Sequence, residues 1–287
     1  MKLARFKSDG QIKIGVVRDT AILSLTDRVP GVGADMIAVI ERWVELFDQI
    51  GSLPPVVDYR LEEVILEAPI GRPGKIMGLG LNYRDHIEEA KLEVPTFPMW
   101  FTKAPTSINS PNGPIEVPRI SETLDYEAEL VFIVGRRCKH VAPDRAHDAI
   151  FGYCAGNDVS VREWQRRTSQ VTLGKSFDTS APFGPFIVTS DEIDSGNLSI
   201  RCLVNGEVRQ SSNTRHMVFS CAAQLADLSS AMTMEPGDIV FTGTPGGVGA
   251  LMSPKTWLRA GDVVRVEIEG IGFIENVVVD ERPPSSP

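Results

Sequence analysis

The sequence has few cysteines and no long apolar run, and these shortages exclude several classes of protein. Its four cysteines, Cys138, Cys154, Cys202 and Cys221, stand far apart, and no two form a CxxC pair. This spacing fits free thiols in a reducing compartment better than a disulfide framework or a zinc cage. No apolar run approaches the roughly 20 residues of a membrane span, and the N-terminal MKLARFKSDG lacks the apolar stretch of a signal peptide. We therefore expect a cytoplasmic protein with no membrane partner.

The chain is also short of positive charge. It has 29 Lys and Arg against 38 Asp and Glu, so its formal net charge is −9. This balance argues against a general nucleic-acid binder, whose affinity depends on Lys and Arg that neutralise phosphates. A local basic pocket can still attract a small anion to an acidic protein. We expect no nucleic-acid partner, and a small anionic substrate stays open.

Two short strands and a helix are predicted before residue 72. LARFKSDGQIKIGVVRD reads as two strands around a Ser-Asp-Gly turn. A helix is predicted near Asp35 to Ile50, with one apolar face made of Ile37, Ile40, Trp43, Val44 and Phe47. The stretch ILEAPIGRPGK then looks like a connector, because its prolines and glycines sustain neither helix nor strand. We predict a small N-terminal α/β domain over 1–72 and a catalytic domain over 73–287.

Strands dominate the pattern beyond residue 72. Helices are expected in NYRDHIEEAK and near residues 145–150, 162–167 and 220–232, without a βαβ rhythm. The fold class is therefore α+β, mainly β, built on a curled β core. The last seven residues, ERPPSSP, are expected to be a frayed end. The predicted strands are KIMGLG, MWFTKA, AELVFIVG, IFGYCAGNDVS, GPFIVTS, LSIRCLVNGEVRQ, DIVFTGT and DVVRVEIEGIGFIENVVV.

An acidic pair precedes the apolar run Leu130–Val134. The segment Asp125-Tyr126-Glu127-Ala128-Glu129 leads directly into it. Side chains at i and i+2 of a strand point to the same face, so Glu127 and Glu129 project together. Two adjacent carboxylates repel unless one takes up a proton or a cation joins them. Solvated strand edges carry such pairs as well, so the pair alone leaves these alternatives open.

A third acid, Asp158, ends the run CAGND, whose small residues permit close approach. Three carboxylates without Cys or His suit a hard cation, either Mg²⁺ or Mn²⁺, and suit Ca²⁺ less well. An octahedral ion with three protein ligands keeps open positions, and a 2-oxo acid or a 1,3-dicarbonyl acid could fill two of them. The pattern predicts a metal site at Glu127, Glu129 and Asp158.

His86 and Glu89 are spaced like a catalytic dyad. Residues three apart share a helix face, and a carboxylate beside an imidazole fixes its tautomer and raises its basicity. Such a pair can deprotonate a water. The same spacing also occurs on surface helices with incidental acidic neighbours. Arg84, two residues earlier, is either a contact for a substrate carboxylate or a solvated arginine.

Six motifs recur in the order found in the fumarylacetoacetate hydrolase family, and the chain resembles that family from about residue 73 to residue 280. The specificity lies in their order, because no single motif is diagnostic. The motifs are GLGLNYRDHIEEA (78–90), LDYEAELVFIVG (124–135), GYCAGNDVSVREWQ (152–165), GKSFDTSAPFGP (174–185), NGEVRQ (205–210) and GDIVFTGTPGGVG (237–249).

The resemblance implies a β-roll or pseudo-barrel fold, a Mg²⁺ or Mn²⁺ site and a homodimer. By motif position it assigns the metal to Glu127, Glu129 and Asp158, as the residues themselves indicate. It also makes His86 and Glu89 the pair that activates water, on a segment that orders over the substrate. Closure of such a segment would exclude bulk water.

Further site residues follow from the same resemblance. It places Lys175 in the active site, where a lysine stabilises developing negative charge. It makes Thr244 and its neighbour Gly243 a wall that meets the substrate, although a tight turn also explains this glycine-rich segment. Gln210 is a further candidate for substrate contact.

Three other positions carry weaker signals. Tyr153 is a candidate for substrate contact and equally a core residue, and Lys103 is a lower-grade candidate. The resemblance assigns no role to the Arg215-His216 pair.

These observations lead to one functional hypothesis with open alternatives. The chain is expected to hydrolyse a C–C bond in a small acylpyruvate-like or 2,4-diketo acid through an enolate. Decarboxylation of an oxaloacetate-like acid, or hydration or isomerisation of a 2-oxo acid, uses the same enolate. A catalytically silent metabolite-binding protein is the non-enzymatic alternative, and the complete set of acidic and basic residues argues against it.

Overall fold

Strands make up most of the regular structure. A computed structural model describes residues 1–282. The strands are β1 (Lys2–Ser8), β2 (Gln11–Arg18), β3 (Ala21–Ser24), β4 (Tyr59–Arg60), β5 (Ile65–Glu67), β6 (Ile76–Gly80), β7 (Met99–Thr102), β8 (Ile108–Asn109), β9 (Ile115–Val117), β10 (Leu124–Asp125), β11 (Ala128–Val134), β12 (Ile150–Asn157), β13 (Ser160–Val161), β14 (Ala181–Thr189), β15 (Ser199–Val204), β16 (Glu207–Asn213), β17 (Ile239–Phe241), β18 (Val263–Ile268) and β19 (Gly272–Asp280).

The helices are short and lie between groups of strands, which confirms the predicted α+β, mainly β class. The longest, α7, begins at Cys221 because the Ser220 side chain caps it by accepting from the Ala223 N–H. The α-helices are α1 (Leu25–Arg28), α2 (Met36–Glu41), α3 (Trp43–Gly51), α4 (Arg84–Ala90), α5 (Arg162–Gln165), α6 (Thr172–Lys175) and α7 (Cys221–Ala231).

One large sheet runs in the order β4-β3-β2-β1-β14-β12-β11-β17-β6-β7, with β5 also paired to β1 and β8 to β14. A second sheet has the order β16-β15-β18-β19-β9, and β10 pairs with β13. β11 and β12 lie at the centre of the large sheet, and every residue of both strands is buried. Strands covered on both faces read as near-continuous apolar runs, as these two do.

The alternation along β11 sets where its acidic residues point. Leu130 and Phe132 enter the core shared with the second sheet. Val131 and Ile133 enter the core shared with the N-terminal segment. Glu129 has the same parity as Val131 and Ile133, and residue i and residue i+2 of a strand share a face. The acidic side chain therefore continues a core-facing row at the end of the strand.

The pairing of β11 with β12 brings Asp158 to the same end of the sheet. Ala128 lies opposite Asn157, and the Asp158 N–H donates to the Glu127 carbonyl oxygen at 2.9 Å. Gly156 permits this packing, because a Cβ there would lie 2.5 Å from Val131 Cγ2 and 2.8 Å from Phe241 Cε1. The predicted close approach at CAGND is confirmed at this glycine.

The N-terminal segment adds strands to the large sheet. β1 pairs with β2 around the predicted turn, and β1 also pairs with β14, with Leu3 opposite Ile187. Hydrogen bonding therefore crosses residue 72, and the division of the chain there stays a prediction.

The single helix predicted near Asp35 to Ile50 is wrong in one respect. It is broken at Arg42 (φ −95°, ψ 9°) into α2 and α3. The break changes the phase of the apolar face, so Val44 is 94% exposed while Leu46 is buried.

The frayed end predicted for ERPPSSP is also wrong at its first residue. The Glu281 N–H donates to the Val117 carbonyl oxygen at 3.2 Å, and its side chain accepts from the Arg119 N–H at 2.7 Å. The rest of that prediction, residues 283–287, lies outside the described part of the chain. Within residues 1–282, no helix is long and apolar enough to cross a membrane.

Candidate active site

Three buried carboxylates converge at the end of β11 and β12. One oxygen from each of Glu127, Glu129 and Asp158 lies within 4.8 Å of the other two. The three residues are 6%, 1% and 0% exposed. The strand pairing described above produces this convergence, since it places Glu127 beside Asp158. The sequence-predicted acidic triad is therefore assembled in one place.

Three buried cations surround the carboxylates. Lys175 Nζ lies 2.6 Å from Glu127 Oε2 and 2.5 Å from Asp158 Oδ2. Lys103 Nζ lies 2.6 Å from Asp158 Oδ1. Arg162 Nη1 lies 2.7 Å from Glu127 Oε1. Glu129 accepts from the Gly243 N–H at 2.8 Å, and it has no ion-pair partner among the described residues.

These contacts shift the pKa values of Glu127 and Glu129 in opposite directions. Burial opposes ionisation of Glu127, yet the charges of Lys175 and Arg162 outweigh it and lower its pKa below the ordinary value. Burial raises the pKa of Glu129 well above its ordinary value, and the negative charges of Asp158 and Glu127 add to the rise. Glu129 is therefore the carboxylate that an added cation would stabilise most.

The two lysines differ in the same way. Burial lowers the pKa of Lys103 below its ordinary value, and the charge of Asp158 does not compensate for it. For Lys175, burial also works to lower the pKa, but Asp158 and Glu127 together raise it above the ordinary value. Lys175 is therefore held as a cation against two of the three carboxylates.

The donor set fits a hard divalent cation. It consists of carboxylate oxygens only, which Mg²⁺ and Mn²⁺ prefer. Burial, together with the negative charges of Asp158 and Glu127, raises the pKa of Glu129, and no Lys or Arg of the described residues pairs with it. We infer from this that the residues present suit a divalent metal.

His86 of the predicted dyad lies at the wall of the same site, with Glu89 beside it. His86 and Glu89 are both on α4, and His86 Nδ1 lies 3.5 Å from Glu89 Oε2. Glu89 Oε2 also accepts from the Gly247 N–H at 3.0 Å. His86 Nδ1 is buried and has no hydrogen-bond partner within residues 1–282. The carboxylate therefore faces the imidazole at a distance that a small shift would turn into a hydrogen bond.

A cavity of about 360 Å³ joins these groups. Its polar wall includes His86, Glu127, Glu129, Lys175 and Thr244. Its apolar wall is formed by Leu79, Met99, Trp100, Phe101 and Val171. The cavity thus has a charged part at the metal-ligand candidates and an apolar part beside it.

Gln210 and Gly243, which were predicted to contact substrate, hold wall residues of the site in place through hydrogen bonds. Gln210 donates from Nε2 to Thr244 Oγ1 and to the Pro245 carbonyl oxygen, each at 2.8 Å, and it accepts from the Ala128 N–H at 2.9 Å. Both hydrogen bonds that its Nε2 donates and the one that its Oε1 accepts go to protein atoms. Gly243 has φ +99°, and its N–H is directed at Glu129. The structure thus places Gln210 and Gly243 behind the wall and Thr244 on it.

Two predicted substrate contacts do not reach the cavity. Arg84 is exposed at the first residue of α4, and the cavity wall does not include it. Tyr153 lies in the core shared with the second sheet, where burial raises its pKa above the ordinary value. The alternatives stated for them, a solvated arginine and a core tyrosine, describe their positions.

Arg162 is a site residue that the sequence did not single out. Its Nε donates to Asp125 Oδ2 at 2.7 Å, and Nη1 contacts Glu127. Its Nη2 is buried without a hydrogen-bond partner in the described chain, and Arg162 lines the cavity. The sequence signal was its place four residues after Asp158, but Arg166 and Arg167, just after the motif, are exposed. Lys103, a lower-grade candidate, also proves to contact Asp158.

A second cavity of about 360 Å³ adjoins the first. The two share His86, Arg162, Gln165 and Val171 as wall residues. The wall that belongs to the second cavity alone is mainly apolar and includes Leu92, Val248, Ala250 and Leu251. The site therefore offers apolar space on both sides of His86 and Arg162.

Known proteins resemble this chain in both sequence and fold. A sequence profile described as fumarylacetoacetate (FAA) hydrolase C-terminal matches residues 75–279. A Xenopus laevis protein named oxaloacetate tautomerase fahd2, mitochondrial, is 47% identical over 219 residues, which covers 75% of this chain and 69% of that protein. The profile thus covers the segment that carries all of the predicted site residues.

Solved structures of similar fold carry several activities in their names. A fumarylacetoacetate hydrolase from Exiguobacterium antarcticum is 38% identical, with a TM-score of 0.85 over 98% of this chain and 100% of that one. A maleylpyruvate hydrolase from Sphingobium sp. SYK-6, solved with manganese(II) and pyruvate, is 30% identical, with a TM-score of 0.84 over the same shares. Other relatives of this fold are named as isomerases.

Proposed function

The chain belongs to the fumarylacetoacetate hydrolase family, and on that premise we propose that it is a divalent-metal-dependent hydrolase. Its substrate class would be acylpyruvate-like 2,4-diketo acids, in which it cleaves the C–C bond between the acyl group and the pyruvate part. The observation that carries this proposal is the cavity whose wall includes Glu127, Glu129, Lys175 and His86, with Asp158 buried beside the two glutamates.

Glu127, Glu129 and Asp158 are the residues that would hold Mg²⁺ or Mn²⁺. When bound, the metal supplies Lewis-acid polarisation of the 2-oxo acid. The manganese(II) and pyruvate in the maleylpyruvate hydrolase relative support this choice. Ca²⁺ suits the site less well, because it prefers more oxygen ligands than three carboxylates and a small substrate supply.

The charges of the site favour an anionic substrate. With every group ionised, Asp125, Glu127, Glu129 and Asp158 exceed Lys103, Arg162 and Lys175 by one negative charge. A divalent cation reverses this sign to one positive charge. A carboxylate is then attracted, and the buried, unpartnered Nη2 of Arg162 offers it a hydrogen bond. These two features support a substrate that carries a carboxylate.

The protein groups divide the reaction between them. His86, whose Nδ1 faces Glu89, takes a proton from water at its other ring nitrogen. The hydroxide adds to the acyl carbonyl, and the bond between C3 and C4 of the diketo acid breaks. The electron pair stays on the pyruvate part as an enolate, whose negative charge Lys175 offsets. Protonation at C3 gives pyruvate, and the acyl part leaves as a carboxylic acid.

The apolar walls support an acyl group as the other half of the substrate. Met99, Trp100 and Phe101 line the first cavity beside the charged groups, and the adjoining cavity adds a second apolar wall. Apolar side chains stabilise an alkyl or aryl tail through burial of its surface. A four-carbon diacid would leave this space unused.

The test is a panel of acylpyruvates with increasing acyl length, assayed with Mn²⁺ or Mg²⁺. We expect loss of enol absorbance together with stoichiometric release of pyruvate and the matching acid, faster with longer acyl groups. Chelation should abolish turnover, and the metal should restore it. Full turnover after exhaustive chelation, or enol loss without release of pyruvate and acid, contradicts the hydrolase proposal.

A second candidate is keto–enol tautomerisation of an oxaloacetate-like acid. The 47% identity to a protein named as an oxaloacetate tautomerase favours it. The same residues would serve, because enolisation needs a base and charge stabilisation and no attacking water. It predicts that oxaloacetate enol decays faster with the protein while the total oxaloacetate stays constant. Pyruvate release from oxaloacetate would instead indicate decarboxylation.

We also propose that the chain forms a homodimer, as the resemblance implies. Light scattering on the metal-loaded protein measures its mass directly. A mass near 31.4 kDa, that of one chain, contradicts the proposal.

A further inference from the structure

The Arg215-His216 pair, which has no role in the proposed chemistry, belongs to a hydrogen-bonded chain of side chains. Arg215 Nε donates to His216 Nε2 at 3.3 Å. His216 Nδ1 lies 3.3 Å from Ser212 Oγ. Ser212 Oγ donates to Asp85 Oδ2 at 2.5 Å. This series of hydrogen bonds thus starts after β16 and ends on α4, the helix that carries His86.

The donors and acceptors fix the direction in which each hydrogen bond of this series is donated. An arginine side chain only donates, so His216 Nε2 must accept, and the ring proton is then on Nδ1. Nδ1–H therefore donates to Ser212 Oγ, whose own proton is given to Asp85. Asp85 Oδ1 accepts from the His86 N–H at 2.8 Å. Every bond is oriented toward the carboxylate of Asp85.

The helix α4, where this series of hydrogen bonds ends, depends on contacts with other segments for its stability. α4 has seven residues, and isolated helices shorter than about 12 residues are marginal in water. Ile87 is its buried apolar anchor. Asp85 fastens it to Ser212, and Glu89 fastens it to the Gly247 N–H. Two carboxylates thus tie one short helix to two separate segments of the chain.

We propose that Ser212 and His216 are positioning residues for catalysis, which hold the helix that carries His86 through Asp85. They line no part of the cavity and act on the substrate only through the placement of the imidazole. The proposal rests on the proposed function in one respect, namely that His86 is the base. The positioning contact itself is independent of the reaction.

The first test measures the helix without any substrate. Hydrogen exchange of a peptide covering 84–90 is followed by mass spectrometry in the wild type, Ser212→Ala and Ser212→Thr. Loss of a hydrogen bond to a charged group should speed exchange by about tenfold in Ser212→Ala. Ser212→Thr keeps the hydroxyl and should retain slow exchange. Ser211→Ala, on the exposed neighbour, is the matched control and should behave as wild type.

The second test measures the effect on turnover. Ser212→Ala should lower kcat by about tenfold, because a loosened helix presents the base for less of the time. KM should change little, since the contacts to the carboxylate of the substrate are untouched. His216→Phe, which removes the donor to Ser212 and leaves the Ser212–Asp85 bond, should have a smaller effect in the same direction.

The outcomes separate this proposal from the proposed function. Equal exchange in Ser212→Ala and Ser211→Ala overturns the positioning role. So does a rise in KM with unchanged kcat, because it would indicate a substrate contact. Faster exchange of the helix with unchanged kcat supports the positioning contact and overturns His86 as the base.

Discussion

Charged side chains are arranged differently in the N-terminal segment and at the cavity. The N-terminal segment has two closely matched ion pairs: Arg28 contacts both carboxylate oxygens of Asp58, and Lys13 donates to both oxygens of Asp27 at 2.8 Å. At the cavity the match is incomplete. Glu129 lacks an ion-pair partner, and Arg162 Nη2 and His86 Nδ1 lack hydrogen-bond partners in the described chain. Both regions contain ion pairs, but only one leaves buried polar atoms unused.

The difference indicates what each arrangement contributes. A matched pair near the surface fixes local structure and adds little stability. An uncompensated buried charge costs stability, because it has lost water and gained no counter-ion. Such groups persist where a ligand completes them, so perturbed carboxylates in a cavity indicate function. The unmatched atoms surround one cavity, and the proposed metal and substrate would complete them.

The largest test of this contrast is Glu129→Gln, which keeps the shape of the side chain and removes its charge. We expect metal-dependent turnover to fall by about a thousandfold, because metal polarisation contributes several kcal/mol. The free energy of unfolding, measured in the presence of chelator, should rise, because an unmatched buried carboxylate is removed.

Turnover at saturating Mn²⁺ and urea unfolding in EDTA check both halves of this prediction. Glu41→Gln, on an exposed glutamate, is the control for the chemical change itself. Wild-type turnover in Glu129→Gln, or a clear loss of stability, would show that the carboxylate is structural.

The next effect is expected from His86→Ala. Removal of a general base typically lowers turnover by about 10²–10⁴-fold. The affinity for Mn²⁺, measured by titration calorimetry, should be unchanged, because His86 is outside the acidic triad. His147→Ala is the matched control, since His147 is exposed and contacts Asp148. A parallel loss of metal affinity would place His86 in the metal site and remove its role as base.

The smallest effect is expected from Asp58→Asn, which breaks a matched pair. Turnover should be unchanged, and the urea midpoint at neutral pH should fall modestly. The hydrogen bond from Arg28 lowers the pKa of Asp58 below its ordinary value of 3.8, although burial works against it. A lowered folded-state pKa gives stabilisation that is complete above the unfolded value and is lost as pH falls through the folded value.

The gap in unfolding free energy between wild type and Asp58→Asn should therefore close as the pH falls below about 4. Urea unfolding at a series of pH values measures this gap. A gap that stays constant down to acid pH would mean that the carboxylate acts through packing rather than through its charge.

The sequence predicted the parts of the site that depend on strand periodicity. Glu127 and Glu129 are two residues apart at the start of a buried strand, so their common direction followed from the alternation of side chains. That Asp158 joins them depended on a neighbouring strand: the resemblance assigned Asp158 to the site, and the structure gives the register. The mainly β class of the fold was predicted from the series of strand segments, but the order of strands in the sheets was not.

Other residues could not be assigned because their environment depends on distant segments. Arg162 stands in REWQRR, where nothing local separates a buried arginine from its exposed neighbours. It is buried because Asp125, 37 residues earlier, accepts from it. The break at Arg42 was missed for a related reason, since no proline or glycine marks it. Val44 and Phe47 were consequently placed on the wrong face.

The pairing of β1 with β14 has a practical consequence for fragments of this protein. Leu3 lies opposite Ile187, and the Thr189 N–H donates to the Met1 carbonyl oxygen at 2.9 Å. A fragment that begins at residue 73 would bare this row of backbone groups together with the apolar side chains that face Leu3 and Ile14. Unpaired strand edges template association with other chains. Expression of residues 75–279 alone, the segment that the family profile matches, should therefore give aggregates. In the whole protein the N-terminal strands cover this edge and prevent such association.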